Sequence, residues 1–175
     1  MPPILLVFTI PTPSLHDYVG GANPFDSYQY ASQLAQDWSI DGTVLRVNKR
    51  NYLVYSCFSA VGQSLCIAPM NSPTSVGAFQ VLSEPTQDWE RIGGAVNEGP
   101  APLYHNGRIF MAYSASFCWT DSYQLGLLTF NGGDPMDRNR WSKSAGPVFS
   151  SANNNWGPGH NRRVLFHSQC PEYLG

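Results

Sequence analysis

Two carboxylates and an imidazole open three similar stretches of this 175-residue chain: Asp41 in SIDGTV, Glu98 in VNEGPA and His160 in GPGHN. They stand 57 and 62 residues apart. Two carboxyl groups that converge can cleave a glycosidic bond. One, held protonated by a neighbouring charge and an apolar wall, donates to the leaving oxygen while a base activates water. On its own, an acid ahead of glycine is ordinarily a turn residue, and a lone histidine is ordinarily structural. The chemical reading therefore requires a fold that brings the three together.

An internal repeat supplies such a fold. NKRNYLVYS (48–56) and NGRIFMAYS (106–114) share Asn-x-Arg-x-aromatic-x-x-Tyr-Ser at an offset of 58 residues. Asn-Lys and Asn-Gly suit a hairpin turn, because Asn and Gly tolerate positive φ; the residues that follow suit a returning strand. Pro24, Pro73 and Pro135 each precede an aromatic by six residues, namely Tyr30, Phe79 and Trp141. One unit then reads as a first strand (44–47 or 102–105), the turn, a second strand (52–56 or 110–114) and a third (65–70 or 125–130). A proline-to-aromatic segment supplies the fourth.

Four antiparallel strands recurring every ~50–60 residues are the mark of β-propeller blades. A β-sandwich also suits short, evenly spaced strands. Residues 25–38, FDSYQYASQLAQDW, have passable helical spacing, but the repeat places Tyr30 on an outer strand. The register divides the chain into half a blade over 1–37, which holds only third and fourth strands, blades over 38–90 and 91–150, and the start of another over 151–175. The expected fold is all-β: one partial β-propeller domain of four-stranded antiparallel blades, incomplete as a ring.

In a propeller the first strand of each blade lines the channel, so Asp41, Glu98 and His160 should share one mouth of it. The loops after the second strands, CFSAVGQS and ASFCWTDSYQ, return to that face. Trp38, Trp119 and Trp156 are candidate platforms for a sugar ring, with Phe58 and Asp121 as further candidate substrate contacts. Packing is almost as plausible a role for each tryptophan. Trp89 and Trp141 fall in the outer part of the repeat and read as packing residues; His16, His105 and His167 read as structural.

The totals exclude several classes. Charged residues make up 13%, about half the usual share. The net charge is −2, and Lys49-Arg50 and Arg162-Arg163 are the largest basic clusters. Nucleic acid and anionic membrane are therefore not expected partners, and no apolar run approaches the ~20 residues of a membrane span. MPPILLVFTIPTPS has neither a basic leader nor a small-x-small cleavage site, so a buried strand is expected there and not a signal peptide. The cysteines at 57, 66, 118 and 170 show no CxxC spacing, which argues against zinc. Cys57 and Cys66 flank a short connection and suit either a cross-strand disulfide or two buried thiols.

WSIDGTVL, APMNSPTSVG, VNEGPAPLYHNGRIFMAYSAS, LGLLTF and GPGHN, in that order over roughly residues 20–161, resemble glycoside hydrolase family 43. These are five-bladed propellers that cleave arabinofuranosides and xylosides with inversion. The resemblance implies that Glu98 is the general acid and that Asp41 modulates and orients it. His160 then matches a channel histidine near a water or calcium ion. The family's third carboxylate, an aspartate base in its first blade, has no match here; Asp17 and Asp26 sit in the wrong part of the repeat. After GPGHN the segment RRVLFHSQCPEYLG is expected to depart from the family. The implied protein is an extracellular hydrolase of arabinose- or xylose-containing plant polysaccharide or oligosaccharide, closest to arabinofuranosidases around Glu98 and requiring no cofactor. The alternative is a non-catalytic carbohydrate-binding fragment, since the base is lacking.

Overall fold

The computed structural model describes residues 14–21, 23, 25–35 and 37–161, and the backbone alone of 5–9. Pro24, His167, Cys170, the Arg162-Arg163 pair and most of the presumptive final blade opening lie outside the described residues. Three antiparallel sheets follow one another along the chain. The first comprises β1 (Leu5–Thr9), β2 (Leu15–Val19) and β3 (Gln29–Gln33). The second has β4 (Ile40–Val47), β5 (Arg50–Phe58) and β6 (Gln63–Ser72), with β7 (Ser75–Val76) and β8 (Gln80–Ser83) both paired to the free side of β6. The third has β9 (Asn97–His105), β10 (Arg108–Ala115), β11 (Gln124–Phe130) and β12 (Trp141–Lys143) in sequence order.

The repeated motif forms the same hairpin twice. Val47 pairs with Arg50 across Asn48 (φ 49°) and Lys49 (φ 65°); His105 pairs with Arg108 across Asn106 (φ 48°) and Gly107 (φ 72°). Both are two-residue turns with positive φ at each central residue, the form whose twist matches the flanking strands. Lys49 holds a conformation that costs a β-carbon about 1–2 kcal/mol, a cost that Gly107 avoids. Lys49→Gly should therefore raise stability by about 0.5–1 kcal/mol after the entropy of the freer unfolded chain is deducted. Chemical denaturation checks this; an unchanged or lower midpoint contradicts it.

The middle sheet is buried on both faces, which separates a stack of blades from a two-layer sandwich. On β5, Val54 joins Leu45, Ile67, Met111, Tyr113 and Leu128 in a core shared with the third sheet. Its neighbours Leu53 and Tyr55 face the other way and join Leu15 and Leu34 of the first. Alternate side chains leave a strand on opposite faces, so the near-continuous apolar run YLVYSCF is what a strand covered on both sides requires. The architecture is that of an incomplete β-propeller. Cys57 and Cys66 are joined as a disulfide across β5 and β6.

Two expectations change. The outer strands β3, β8 and β12 each start within one residue of the aromatic instead of running from proline to aromatic. Proline cannot donate to a ladder, and a 3-10 turn over Arg138–Arg140 fills the stretch before Trp141. The Pro135 carbonyl instead accepts the Trp141 indole N–H at 3.0 Å, while the ring is buried against Phe130. The first sheet has three strands, not two, because His16 and Asp17 break the apolar pattern of LHDYV. As the repeat register requires, residues 25–38 contain the strand β3 and, among the described residues, no helix.

Asp17 is itself unusual. It is fully buried on β2, and neither carboxylate oxygen has a well-formed hydrogen bond. Burial raises its pKa above the ordinary carboxylate value, opposed only by the adjacent Tyr18 backbone N–H. The folded state thus keeps this proton to higher pH than the unfolded chain. The associated stability is complete below the unfolded value, near 4, and is lost as pH rises through the folded one. Asp17→Asn should flatten that slope and raise stability at pH 7. Melting curves at pH 5 and pH 8 test it; equal pH dependence in both proteins would rule it out.

Candidate active site

The innermost strands of the second and third sheets carry the same irregularity. Ile40 pairs with Ser56 and Thr43 with Val54, so β4 holds one extra residue against β5; Glu98 pairs with Ser114 and Ala101 with Ala112, giving β9 the same excess against β10. Such a bulge re-aims side chains at the end of a ladder. Within it Asp41 has φ 58° and Gly99 has φ 55°, and His160 enters its own segment at φ 52°. The pairing therefore corrects the register expected from the sequence: Asp41 corresponds to Gly99, and Glu98 to Ile40. The two acids differ by one position, so they approach the same point from different directions.

They meet across the gap between sheets. Asp41 Oδ2 accepts the Gly99 backbone N–H at 3.1 Å and the Ser56 hydroxyl at 3.3 Å. The Asp41 carboxylate thus grips the backbone immediately after Glu98. His160 Nε2 stands 3.9 Å from Asp41 Oδ1, and the His160 backbone N–H donates to Ser114 Oγ at 2.6 Å. A β-carbon at residue 99 would lie 3.4 Å from His160 Nδ1, an ordinary contact, so it is the φ of 55° that favours glycine there.

Both oxygens of the half-buried Glu98 are held. Gln63 Nε2 donates to Oε2 at 2.8 Å, and the Tyr123 hydroxyl donates to Oε1 at 2.6 Å. Gln63 reaches across because its loop is docked on the next blade: its backbone N–H donates to the Ala95 carbonyl at 3.1 Å. Gly62 allows this approach at φ 147°, where a β-carbon would fall 2.6 Å from that same oxygen. Burial, reinforced by the hydrogen bond to Glu98, holds the Tyr123 phenol well above its usual range, so it remains a neutral O–H donor. Ser114 hydrogen-bonds the Tyr123 oxygen in turn.

Asp41, Glu98 and His160 are thus brought together, and the aromatic candidates are dispersed around them. Trp119 and Trp156 are 86% and 67% exposed, on loops tied together by the Ser151 hydroxyl, which donates to the Asp121 carbonyl and accepts the Gly157 N–H. Asp121 is exposed on the same loop as Trp119. Trp38 packs on Phe58 with ring centroids 4.5 Å apart, and both line a cleft between the first and second sheets whose lining does not include Glu98. Trp89 packs in the core between the second and third sheets. Among the described residues no group of three or more His, Cys, Asp or Glu side chains is placed to hold a metal ion. Calcium selects oxygen ligands over imidazole, so His160 and its neighbours do not by themselves fit a calcium site.

Sequence reasoning missed Gln63, Tyr123, Ser56 and Ser114. The two serines close the repeated Tyr-Ser motif, which was the available signal. Gln63 opens β6 and Tyr123 directly precedes β11, each after a connection of different length, where no repeat could mark them.

Residues 19–174 match the model of Glycosyl hydrolases family 43. The match runs through RRVLFHSQCPEY, so the expected departure after GPGHN is not upheld. The chain is 41% identical to "Alpha-L-arabinofuranosidase 43" of Humicola insolens, over 88% of this chain and 34% of that protein. It is 38% identical to an extracellular exo-α-(1→5)-L-arabinofuranosidase of Streptomyces avermitilis, over 81% and 32%. A crystal structure of an α-L-arabinofuranosidase from Lactobacillus brevis superposes with a TM-score of 0.80 at 31% identity, covering 87% of this chain and 51% of that one. The chain belongs to glycosyl hydrolase family 43. It spans about a third of the length of the curated relatives named above.

Proposed function

We propose that this chain carries the acid side of an arabinofuranosidase site that cleaves O-glycosyl bonds with inversion. Glu98 delivers a proton to the leaving oxygen, and Asp41 orients it through the Gly99 backbone. The observation that carries this reading is the double restraint on Glu98, whose two oxygens are fixed from two blades. A carboxyl so held keeps one direction of proton delivery, which is what positioning contributes to acid catalysis. The substrate class is arabinose-containing plant polysaccharide or oligosaccharide, a choice supported by the relatives' names. The Cys57–Cys66 bridge supports an extracellular setting, as does the name of the Streptomyces relative.

Among the described residues, no third carboxylate is a hydrogen-bond or ion-pair partner of Asp41 or Glu98. Azide replaces base-activated water in the test. It attacks the anomeric carbon opposite the leaving group, a C–N bond forms as the C–O bond breaks, and the acid's proton passes to the leaving oxygen. In azide, an alkyl α-L-arabinofuranoside should be converted at least about tenfold faster than the matching β-D-xyloside. Equal or reversed rates contradict the arabinose assignment. The exposed Trp119 and Trp156 rings favour one other reading, a sugar-binding fragment without turnover. That reading predicts saturable binding of arabino-oligosaccharide and no azide product.

A further inference from the structure

One well-formed concavity has no lining residue from the Glu98 cluster. A cleft of about 660 Å³ runs between the first and second sheets, within the size range of small-molecule sites. Its walls carry Trp38, Phe58 and Phe79, the last two 58% and 49% exposed. Facing them are Asp37 and Tyr55. Neither the Asp37 carboxylate nor the Tyr55 hydroxyl makes a hydrogen bond among the described residues, although Tyr55 is 95% buried as a residue, being 5% exposed. Among the described residues no lysine or arginine lines the cleft, and Asp37 is the charged group that an anionic ligand would meet.

We propose that this cleft is a second carbohydrate site, which takes a neutral oligosaccharide stacked on Trp38 and Phe58 and hydrogen-bonded through Asp37 and Tyr55. Aromatic faces bind the apolar face of a sugar ring, while a carboxylate and a phenol take its hydroxyls. Burial and the nearby Asp37 charge push the Tyr55 phenol up to about 12, so it stays neutral and can both donate and accept. Position supports the same ligand class. Trp38 lies three residues before Asp41, and Phe58 two residues after Ser56, which bonds Asp41. The cleft therefore opens beside the strand ends that carry the carboxylates, and an oligosaccharide leaving that mouth can continue along it. The choice of a sugar over another neutral polyol rests on the proposed function.

Backbone amide NMR during titration with α-1,5-arabinotriose tests the cleft and the carboxylate cluster separately. Signals of Thr74, Ser75 and Gly77 report the cleft, and those of Gly99 and the Gln63 side chain report the cluster. Saturable shifts are expected at the cleft reporters. Their Kd should rise about 3–10-fold in Tyr55→Phe and about tenfold or more in Asp37→Asn, and stay unchanged in Glu98→Gln. Unaltered signals elsewhere show that the variants fold. Shifts confined to the cluster reporters overturn the second site and leave the proposed function standing. Shifts confined to the cleft support the second site and count against the proposed function. Cleft shifts with an unchanged Kd in both cleft variants, or no shift anywhere, overturn the second site.

Discussion

Glu98→Gln is expected to lower cleavage of an alkyl arabinofuranoside by about 10²–10⁴-fold, the range that general acid catalysis supplies. The substitution keeps the shape of the side chain, and an amide oxygen can still accept from Tyr123 or Gln63. What disappears is the transferable proton. The geometry predicts a graded series behind it. Removing the Tyr123 hydroxyl or the Gln63 amide frees one oxygen of Glu98 while leaving the proton, so either change should cost less than the loss of Glu98 itself. The rate of alkyl arabinofuranoside conversion in azide checks the order, and a Glu98→Gln protein as active as its parent contradicts it.

Glu90→Gln is expected to destabilise the fold by about 3–5 kcal/mol, the cost of leaving one member of a buried ion pair alone. Glu90 is fully buried and binds Lys143 Nζ at 2.8 and 2.9 Å. Its Oε1 also accepts from the Tyr113 hydroxyl and Asn97 Nδ2, both at 2.9 Å, and its Oε2 from the Gln87 backbone N–H. A Gln amide must turn a donor toward either Lys143 or these partners. The Lys143 side chain, only 16% exposed, then keeps its charge without a counter-ion. The melting temperature should drop by on the order of 10 °C. Replacing Glu90 and Lys143 together with methionine should cost less than Glu90→Gln alone; a double variant no more stable than the single one contradicts this account. The pair also bears on the site, because Asn97 directly precedes Glu98 and is pinned between Glu90 and the Ser83 hydroxyl.

The fold was legible where local chemistry repeats. Asn48-Lys49 and Asn106-Gly107 announced their turns because few residues accept positive φ at both centres, and YLVYSCF announced burial on both faces. β2 was not legible, since Asp17 and His16 occupy strand positions in a way that no pattern rule anticipates. The site divided on the same principle. Asp41 and Glu98 could be found because each stands at the head of an innermost strand, and His160 because the repeat spacing places it at the start of the next unit, yet the one-residue offset between Asp41 and Glu98 depends on a bulge that only pairing reveals. Gln63 and Tyr123 depend on how two loops dock across a blade boundary, and contacts between distant segments carry no local signal. Trp38 and Phe58 were expected at the carboxylates, but packing against each other directs them into the neighbouring cleft.

The central claim, that Glu98 is the proton donor, is tested most directly by leaving-group dependence in azide. A dinitrophenolate departs without protonation, whereas an alkoxide requires it. Parent and Glu98→Gln proteins should therefore convert dinitrophenyl α-L-arabinofuranoside at similar rates, within about tenfold, and differ by about 10²–10⁴-fold on the methyl glycoside. Equal losses on both substrates, or no loss on the methyl glycoside, would contradict the assignment of Glu98 as the acid.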